Sequence, residues 1–236
     1  MHIEDPYKIW VVDKFTSESI LDSVLSKWLQ DDDPRWFRGR DKIRGEDNIL
    51  ERGMLSLSNM TLMPKKISSM MKMIHSYEMT ERISKITDIK GLVTDDSMRW
   101  SGMREMLPGG CQLIHSDARL NPKTKLVKHI TALLYLNKDY LPEDQGQLEI
   151  WNDEMTECVH RIEPIYNRLV LFVNSDTSYH GVPNVKTSRK MLTFSIMRQP
   201  TEADTETRTY AKFVPRPCDT DAVARLGVLR SQLNDY

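Results

Sequence analysis

Residues 128–137 run Lys128-His129-Ile130-Thr131-Ala132-Leu133-Leu134-Tyr135-Leu136-Asn137. β-branched, aromatic and aliphatic side chains fill the stretch, no Gly or Pro interrupts it, and it predicts a strand. On either side lie further short runs of β formers parted by turn residues: Met103 to Leu107, Cys111 to His115, Gln147 to Trp151, Cys158 to Ile162, Arg168 to Val173 and Lys190 to Met197. That spacing predicts an antiparallel sandwich or barrel. Upstream the period changes. Ile9-Trp10-Val11-Val12 predicts a strand, and Ile20, Leu21, Val24, Leu25, Trp28 and Leu29 predict an amphipathic helix with one buried face. A second helical pattern runs from Pro64 to about Ile89 until Gly91 ends it. Downstream, Arg208 to Val214 offers one more strand and Asp221 to Leu233 a closing helix. The expected fold class is α+β with a mainly β core and helices packed on one face, in one domain.

Composition narrows the function. Among 236 residues, 33 Lys plus Arg stand against 34 Asp plus Glu, which argues against a polybasic nucleic-acid arm. No run approaches a membrane span, and the acidic start Met1-His2-Ile3-Glu4-Asp5-Pro6 lacks signal-peptide character, so a cytoplasmic chain is expected. Cys111, Cys158 and Cys218 are widely spaced and form no CxxC pair, so buried free thiols are expected.

His115-Ser116-Asp117 closes a predicted strand, where side chains two apart point the same way, so an imidazole and a carboxylate converge. An iron site of the facial type needs a third ligand. His180 is the candidate: it follows an apolar strand and precedes Gly181-Val182-Pro183, read as a turn that lets backbone pass close to a metal. Nine residues on, Arg189 heads a run whose alternation sets Arg189, Met191, Thr193 and Ser195 against Lys190, Leu192, Phe194 and Ile196. A buried guanidinium requires an anion, and no acidic neighbour in sequence claims this one. A 2-oxo dicarboxylate chelating the iron would bring that anion.

The ordered series His115-x-Asp117, Leu134-Tyr135-Leu136-Asn137-Lys138-Asp139, Gly146-x-Leu148, Pro164, Asn167-Arg168-Leu169-Val170-Leu171-Phe172, His180-Gly181-Val182 and Arg189 resembles the Fe(II)- and 2-oxoglutarate-dependent oxygenases, most closely their prolyl 4-hydroxylase-like branch. The resemblance spans about residues 100–198. It implies a double-stranded β-helix, or jelly roll, with 1–99 as support and 199–236 as a C-terminal extension. It implies iron bound by His115, Asp117 and His180, and 2-oxoglutarate held by Arg189 and Tyr135. No catalytic residue is expected beyond the metal centre. Two departures matter: Ser195 stands where nucleic-acid-repairing relatives carry a second Arg, with Ala118 after the HxD, and Met191 replaces a common Ser or Thr.

The implied activity is a dioxygenase that hydroxylates an unactivated C–H, releasing succinate and carbon dioxide, with Fe(II), 2-oxoglutarate and O2, and ascorbate as an optional reductant. Its substrate would be prolyl, peptidyl or amino-acid-like. Two other readings use the same residues: a cupin-like metal hydrolase or isomerase, and a silent binding module. Metal affinity is expected to fall below about pH 6, as imidazole protonates. His129 and His160 read as solvent-facing or backbone-bonded, and His2-Ile3-Glu4 as an accidental ligand spacing. The methionines from Met54 to Met79 read as core, and the basic cluster Arg35 to Arg44, beside Asp31 to Asp33, as a solvated face. Ala118 to Lys128 reads as a lid or a plain connection.

Overall fold

The computed structural model describes residues 1–38, 50–204 and 207–220. The chain enters through β1 (His2–Ile3), β2 (Ile9–Val12), α1 (Glu18–Leu25), β3 (Phe37–Arg38), β4 (Met54–Leu57), α2 (Lys65–Ile74), α3 (Tyr77–Thr87) and β5 (Leu92–Val93). Eight strands follow: β6 (Gly102–Met106), β7 (Gln112–Ser116), β8 (Val127–Tyr135), β9 (Leu148–Trp151), β10 (Cys158–Ile162), β11 (Leu169–Val173), β12 (His180–Val182) and β13 (Arg189–Arg198). A short β14 (Lys212–Phe213) comes last.

Two antiparallel sheets result. The larger has the order β1-β2-β11-β8-β13-β6-β4-β3, with β5 on β13, and the smaller has the order β10-β9-β12-β7-β14. Of the eight successive strands, β6, β8, β11 and β13 join the larger sheet and β7, β9, β10 and β12 the smaller. This is the jelly-roll distribution.

Alternation along the larger sheet divides its side chains between two cores. Leu192, Phe194 and Ile196 of β13, with Ile130, Ala132 and Leu134 of β8, pack under Leu21 and Val24 of α1, Ile67, Met70, Met71 and Ile74 of α2, and Met79 and Ile83 of α3. On the other face Met191, Leu133, Tyr135, Val170 and Phe172 meet Leu148, Ile150, Ile162 and Val182 of the smaller sheet. Helices thus cover one face of the larger sheet, and its inner face belongs to the sandwich.

Several elements differ from expectation. The stretch 64–89 is two helices, because Ser76 caps α3 by accepting from the Met79 amide at 3.2 Å. Ile20 is 42% exposed, so the buried stripe of α1 is narrower than the apolar spacing implied. Strand β4 lies inside the Met-rich segment, whose Met54, Met63, Met70, Met71 and Met79 are buried. His180-Gly181-Val182 is a strand, not a turn. A Cβ on Gly181 would meet Ile114 Cδ1 at 2.7 Å and Gln112 O at 2.9 Å, so this glycine serves the close approach of β12 to β7.

Only Lys212–Phe213 of the proposed 208–214 strand forms. The expected helix over 221–233, and residues 39–44 of the basic cluster, lie outside the described residues; Arg35 within that cluster pairs with Asp33 at 2.7 Å. All three cysteines are free, with Cys111 buried and Cys218 exposed. Among the described residues no helix is long and apolar enough to cross a membrane.

Candidate active site

His115 on β7 and His180 on β12 are register partners on adjacent antiparallel strands. Directly opposed residues share a face, and the two rings lie 4.4 Å apart. Asp117, just past β7, completes the group: one candidate ligand atom from each of His115, Asp117 and His180 lies within 4.8 Å of the others. Each Nδ1 is 2.9 Å from the carbonyl two residues earlier, Leu113 O for His115 and Ser178 O for His180. A carbonyl only accepts, so both Nδ1 atoms donate and both Nε2 atoms face the shared space, which is how a ligating imidazole is oriented.

The Asp117 carboxylate is similarly divided. Its Oδ2 accepts from Lys128 Nζ at 2.6 Å and Thr131 Oγ1 at 2.8 Å, while Oδ1 lies 3.6 Å from His115 Nε2. Lys128 is 3% exposed and also lies 5.2 Å from the Trp100 ring centroid. Burial pushes the Asp117 pKa up, but Lys128 and the two histidines overcome this and hold it well below the carboxylate range. Burial lowers His115, yet the Asp117 hydrogen bond and charge leave it raised above an ordinary imidazole. Burial, with the neighbouring His115 charge, drives His180 down to about 3. One imidazole is therefore neutral and the other is proton-loving until a cation displaces that proton.

Arg189 is 3% exposed and faces the same cavity. Its Nε donates to Gly146 O at 2.8 Å, one terminal nitrogen to the Met191 sulfur at 3.1 Å, and the other to Tyr135 Oη at 2.9 Å. Among the described residues no carboxylate lies within ion-pairing distance of it. Met191, one of the departures from the family pattern, thus takes up one guanidinium hydrogen. Burial raises the Tyr135 phenol above its ordinary value, against the opposing charge of Arg189.

The inner cavity, about 230 Å³, is lined by the triad, Arg189, Thr131 and Thr193. It shares His115, Asp117 and Trp100 with an outer cleft of about 490 Å³ that reaches Ala118, Pro122 and Tyr210. The 118–128 segment forms a wall of this cleft. It is pinned: Asn121 Nδ2 donates to Asp95 at 2.7 Å and to Ser97 at 2.9 Å, and the Arg119 and Leu120 amides donate to Arg208 O.

His129 and His160 stand apart from the triad. His160 meets Asp5 O at 3.0 Å, and His2 pairs with Glu4 at 3.2 Å near the chain start. Sequence reasoning missed Lys128 and Arg104. A bulge at β8, where Met197 pairs with Lys128 but Ile196 with Ile130, turns Lys128 onto the cavity side with Thr131. Strict alternation from Ile130 puts it on the helix side. Arg104 was legible, since it shares the predicted 103–107 strand with Met106, the partner of Arg189.

The jelly roll thus brings two imidazoles and a carboxylate, a set that could hold a metal ion, beside a buried guanidinium that has no carboxylate partner among the described residues. Residues 102–197 match the model of the 2OG-Fe(II) oxygenase superfamily. That family uses Fe(II), 2-oxoglutarate and O2. Among solved structures, a prolyl 4-hydroxylase from Pseudomonas putida is 17% identical with a TM-score of 0.59, covering 81% of this chain and 93% of its own. A Trichoplax adhaerens prolyl hydroxylase, in complex with a hypoxia inducible factor peptide fragment, is 18% identical with a TM-score of 0.59, covering 80% and 83%. The viral collagen prolyl hydroxylase of Paramecium Bursaria Chlorella virus-1, as its 2-oxoglutarate complex, is 14% identical with a TM-score of 0.53, covering 82% and 98%. At these identities the likeness is one of fold. No curated protein matches the chain by sequence.

Proposed function

We propose that this dioxygenase hydroxylates an unactivated C–H of a prolyl, peptidyl or amino-acid-like substrate. His115 Nε2, His180 Nε2 and Asp117 Oδ1 would hold Fe(II), and Arg189 with Tyr135 Oη would hold the far carboxylate of 2-oxoglutarate. The donor set fits this metal: two imidazoles already turned by their Nδ1 bonds, plus one carboxylate oxygen left open by Lys128 and Thr131. The observation that carries the reading is Arg189, a buried cation that shares the triad's cavity and has no carboxylate partner among the described residues. The same reading takes residues 1–236 as one domain, because Leu21, Ile67 and Ile83 share a core with Leu192 and Phe194.

Bound Fe(II) supplies the oxidative decarboxylation of the keto acid and the activation of dioxygen. The chain's own residues do the positioning. Arg189 and Tyr135 would hold the far carboxylate of the cosubstrate and so direct its keto acid end toward a metal held by the triad. Phe172, with its ring 4.6 Å from His180, keeps that side of the centre dry. The outer cleft, open past Trp100 and Tyr210, admits the substrate.

Anaerobic titration of the Fe(II) protein with 2-oxoglutarate tests the assignment. A visible charge-transfer band is expected, absent in Asp117→Ala and needing far more cosubstrate in Arg189→Ala. Equal titration curves for wild type and Arg189→Ala would sink it.

A further inference from the structure

A second guanidinium lines the inner cavity. On β6, Arg104 lies opposite Met191 of β13 and opposite Ser56 of β4, so it shares the inner face with Tyr135 and Met191. Its tip leans away from Arg189, toward the chain leaving β4. One terminal nitrogen donates to Met103 O at 2.9 Å, and both reach Ser58 Oγ at 3.3 Å. These bonds occupy the far end of the fork. Among the described residues nothing accepts from Nε, and no carboxylate lies within ion-pairing distance. Burial lowers its pKa to about 10 against the more distant charge of Glu51, which itself accepts from Gln112 at 3.0 Å.

Charge balance points the same way. Among the described residues that line the cavity, Asp117 and Glu51 stand against Lys128, Arg104 and Arg189. A divalent metal and a doubly charged cosubstrate cancel each other, so the loaded site keeps a net positive charge. Arg189 and the metal claim the two ends of the cosubstrate, which leaves the Nε edge of Arg104 as the unmatched cation. That edge offers two parallel N–H groups, the geometry that suits a carboxylate.

Building on the dioxygenase reading above, we propose that Arg104 is a specificity-determining residue that receives a carboxylate of the primary substrate. The substrate is then an anionic molecule: a free amino acid or related small acid, or a peptide with an acidic residue beside the oxidised position. Neutral prolyl peptides would leave the half-buried Arg104 without an anion. The outer cleft meets the inner cavity at Glu51, Trp100 and Gln112, so a substrate entering there reaches Arg104 without crossing Arg189.

The test uses full-length protein loaded with Mn(II) and 2-oxoglutarate, with thermal shift as the binding readout. Three probe sets separate the sources: free L-amino acids including L-proline, their C-terminal amides, and N-acetylated prolyl peptides bearing Asp or, as control, Asn next to proline. Acids are expected to stabilise the loaded protein where their neutral partners do not. A response to free amino acids marks a small-molecule substrate, and a response to Asp peptides alone marks a peptide. Arg104→Gln should weaken the responding acid about 10- to 100-fold, with Arg104→Lys recovering part of it. The 2-oxoglutarate titration of Arg104→Gln should match wild type, which shows a folded site and keeps the outcome separate from the cosubstrate assignment. Weaker cosubstrate binding in Arg104→Gln would reassign the residue to 2-oxoglutarate and overturn the proposal. Equal shifts from acids and amides, or no acid binding at all, would overturn it too.

Discussion

Replacing Lys128 with Met separates two roles that one ammonium plays. In metal-free protein Lys128 Nζ, 2.6 Å from Asp117 Oδ2 and almost fully buried, is the charge partner that keeps the carboxylate ionised. Truncating one member of a buried ion pair costs about 3–5 kcal/mol, which for a chain of this length corresponds to a drop in Tm of roughly 6–20 °C. A metal on Oδ1 reverses the situation. The ammonium and a divalent ion then sit on opposite oxygens of one carboxylate, and their repulsion is on the order of several kcal/mol at an effective dielectric near ~20. Lys128→Met should therefore lose stability when chelator-stripped and gain more than wild type from Mn(II). Calorimetry with and without Mn(II), plus a competition titration for metal affinity, measures both quantities. Adding Asp117→Asn removes the stranded charge, so the double variant should recover much of the metal-free loss. If Mn(II) raises Tm equally in wild type and Lys128→Met, the electrostatic account of this pair is wrong.

Metal uptake should release close to one proton at mildly acidic pH. His115 is raised above an ordinary imidazole and must shed its proton to ligate, whereas His180, near 3, is already neutral. Affinity should thus fall as pH drops through a value above ~6.5, a higher window than the sequence alone implied; titration calorimetry in buffers of different ionisation enthalpy reads the proton count. In metal-free protein the two histidines act oppositely on stability. His115 adds stability that is fully present below ~6.5 and is lost as pH rises through its raised folded value; His180 costs stability as pH falls from ~6.5 toward 3, since only the unfolded chain takes that proton. Gly102→Ala should be strongly destabilised, by several kcal/mol, because a Cβ at φ +135 would stand 2.2 Å from Leu57 O where β4 crosses β6; wild-type Tm for this variant would contradict the register assigned there.

What was legible in the sequence follows from what each residue has to satisfy locally. The strands of the sandwich declare themselves through apolar runs, because Leu169 to Val173 and Ile130 to Leu136 meet a core on both faces. The pair His115 and Asp117 is legible for the same reason, since an extended backbone carries both to one side. His180 reaches that pair only through the pairing of β12 with β7, a contact across 65 residues that composition does not encode. Where the chain departs from regular geometry, alternation fails. The bulge at His129 converts Lys128 from an apparent helix-side residue into the partner of Asp117. Ser76 divides a continuous apolar stripe into two helices that share one core.

Three irregularities border the triad. The bulge on β8 aims Lys128, the irregular register between β12 and β7 lets His180 face His115, and Trp100 at φ +62 is held in a left-handed conformation that costs a bulky residue on the order of 1–3 kcal/mol. The Trp100 ring has the Arg99 guanidinium at 4.8 Å and the Lys128 ammonium at 5.2 Å, and it borders both cavities. Backbone irregularity is tolerated where surrounding contacts over-determine it, and here those contacts place a cation, an imidazole and an aromatic ring on one small space. The regular parts of the sheets supply rigidity, and the irregular parts supply the direction in which the chemistry faces.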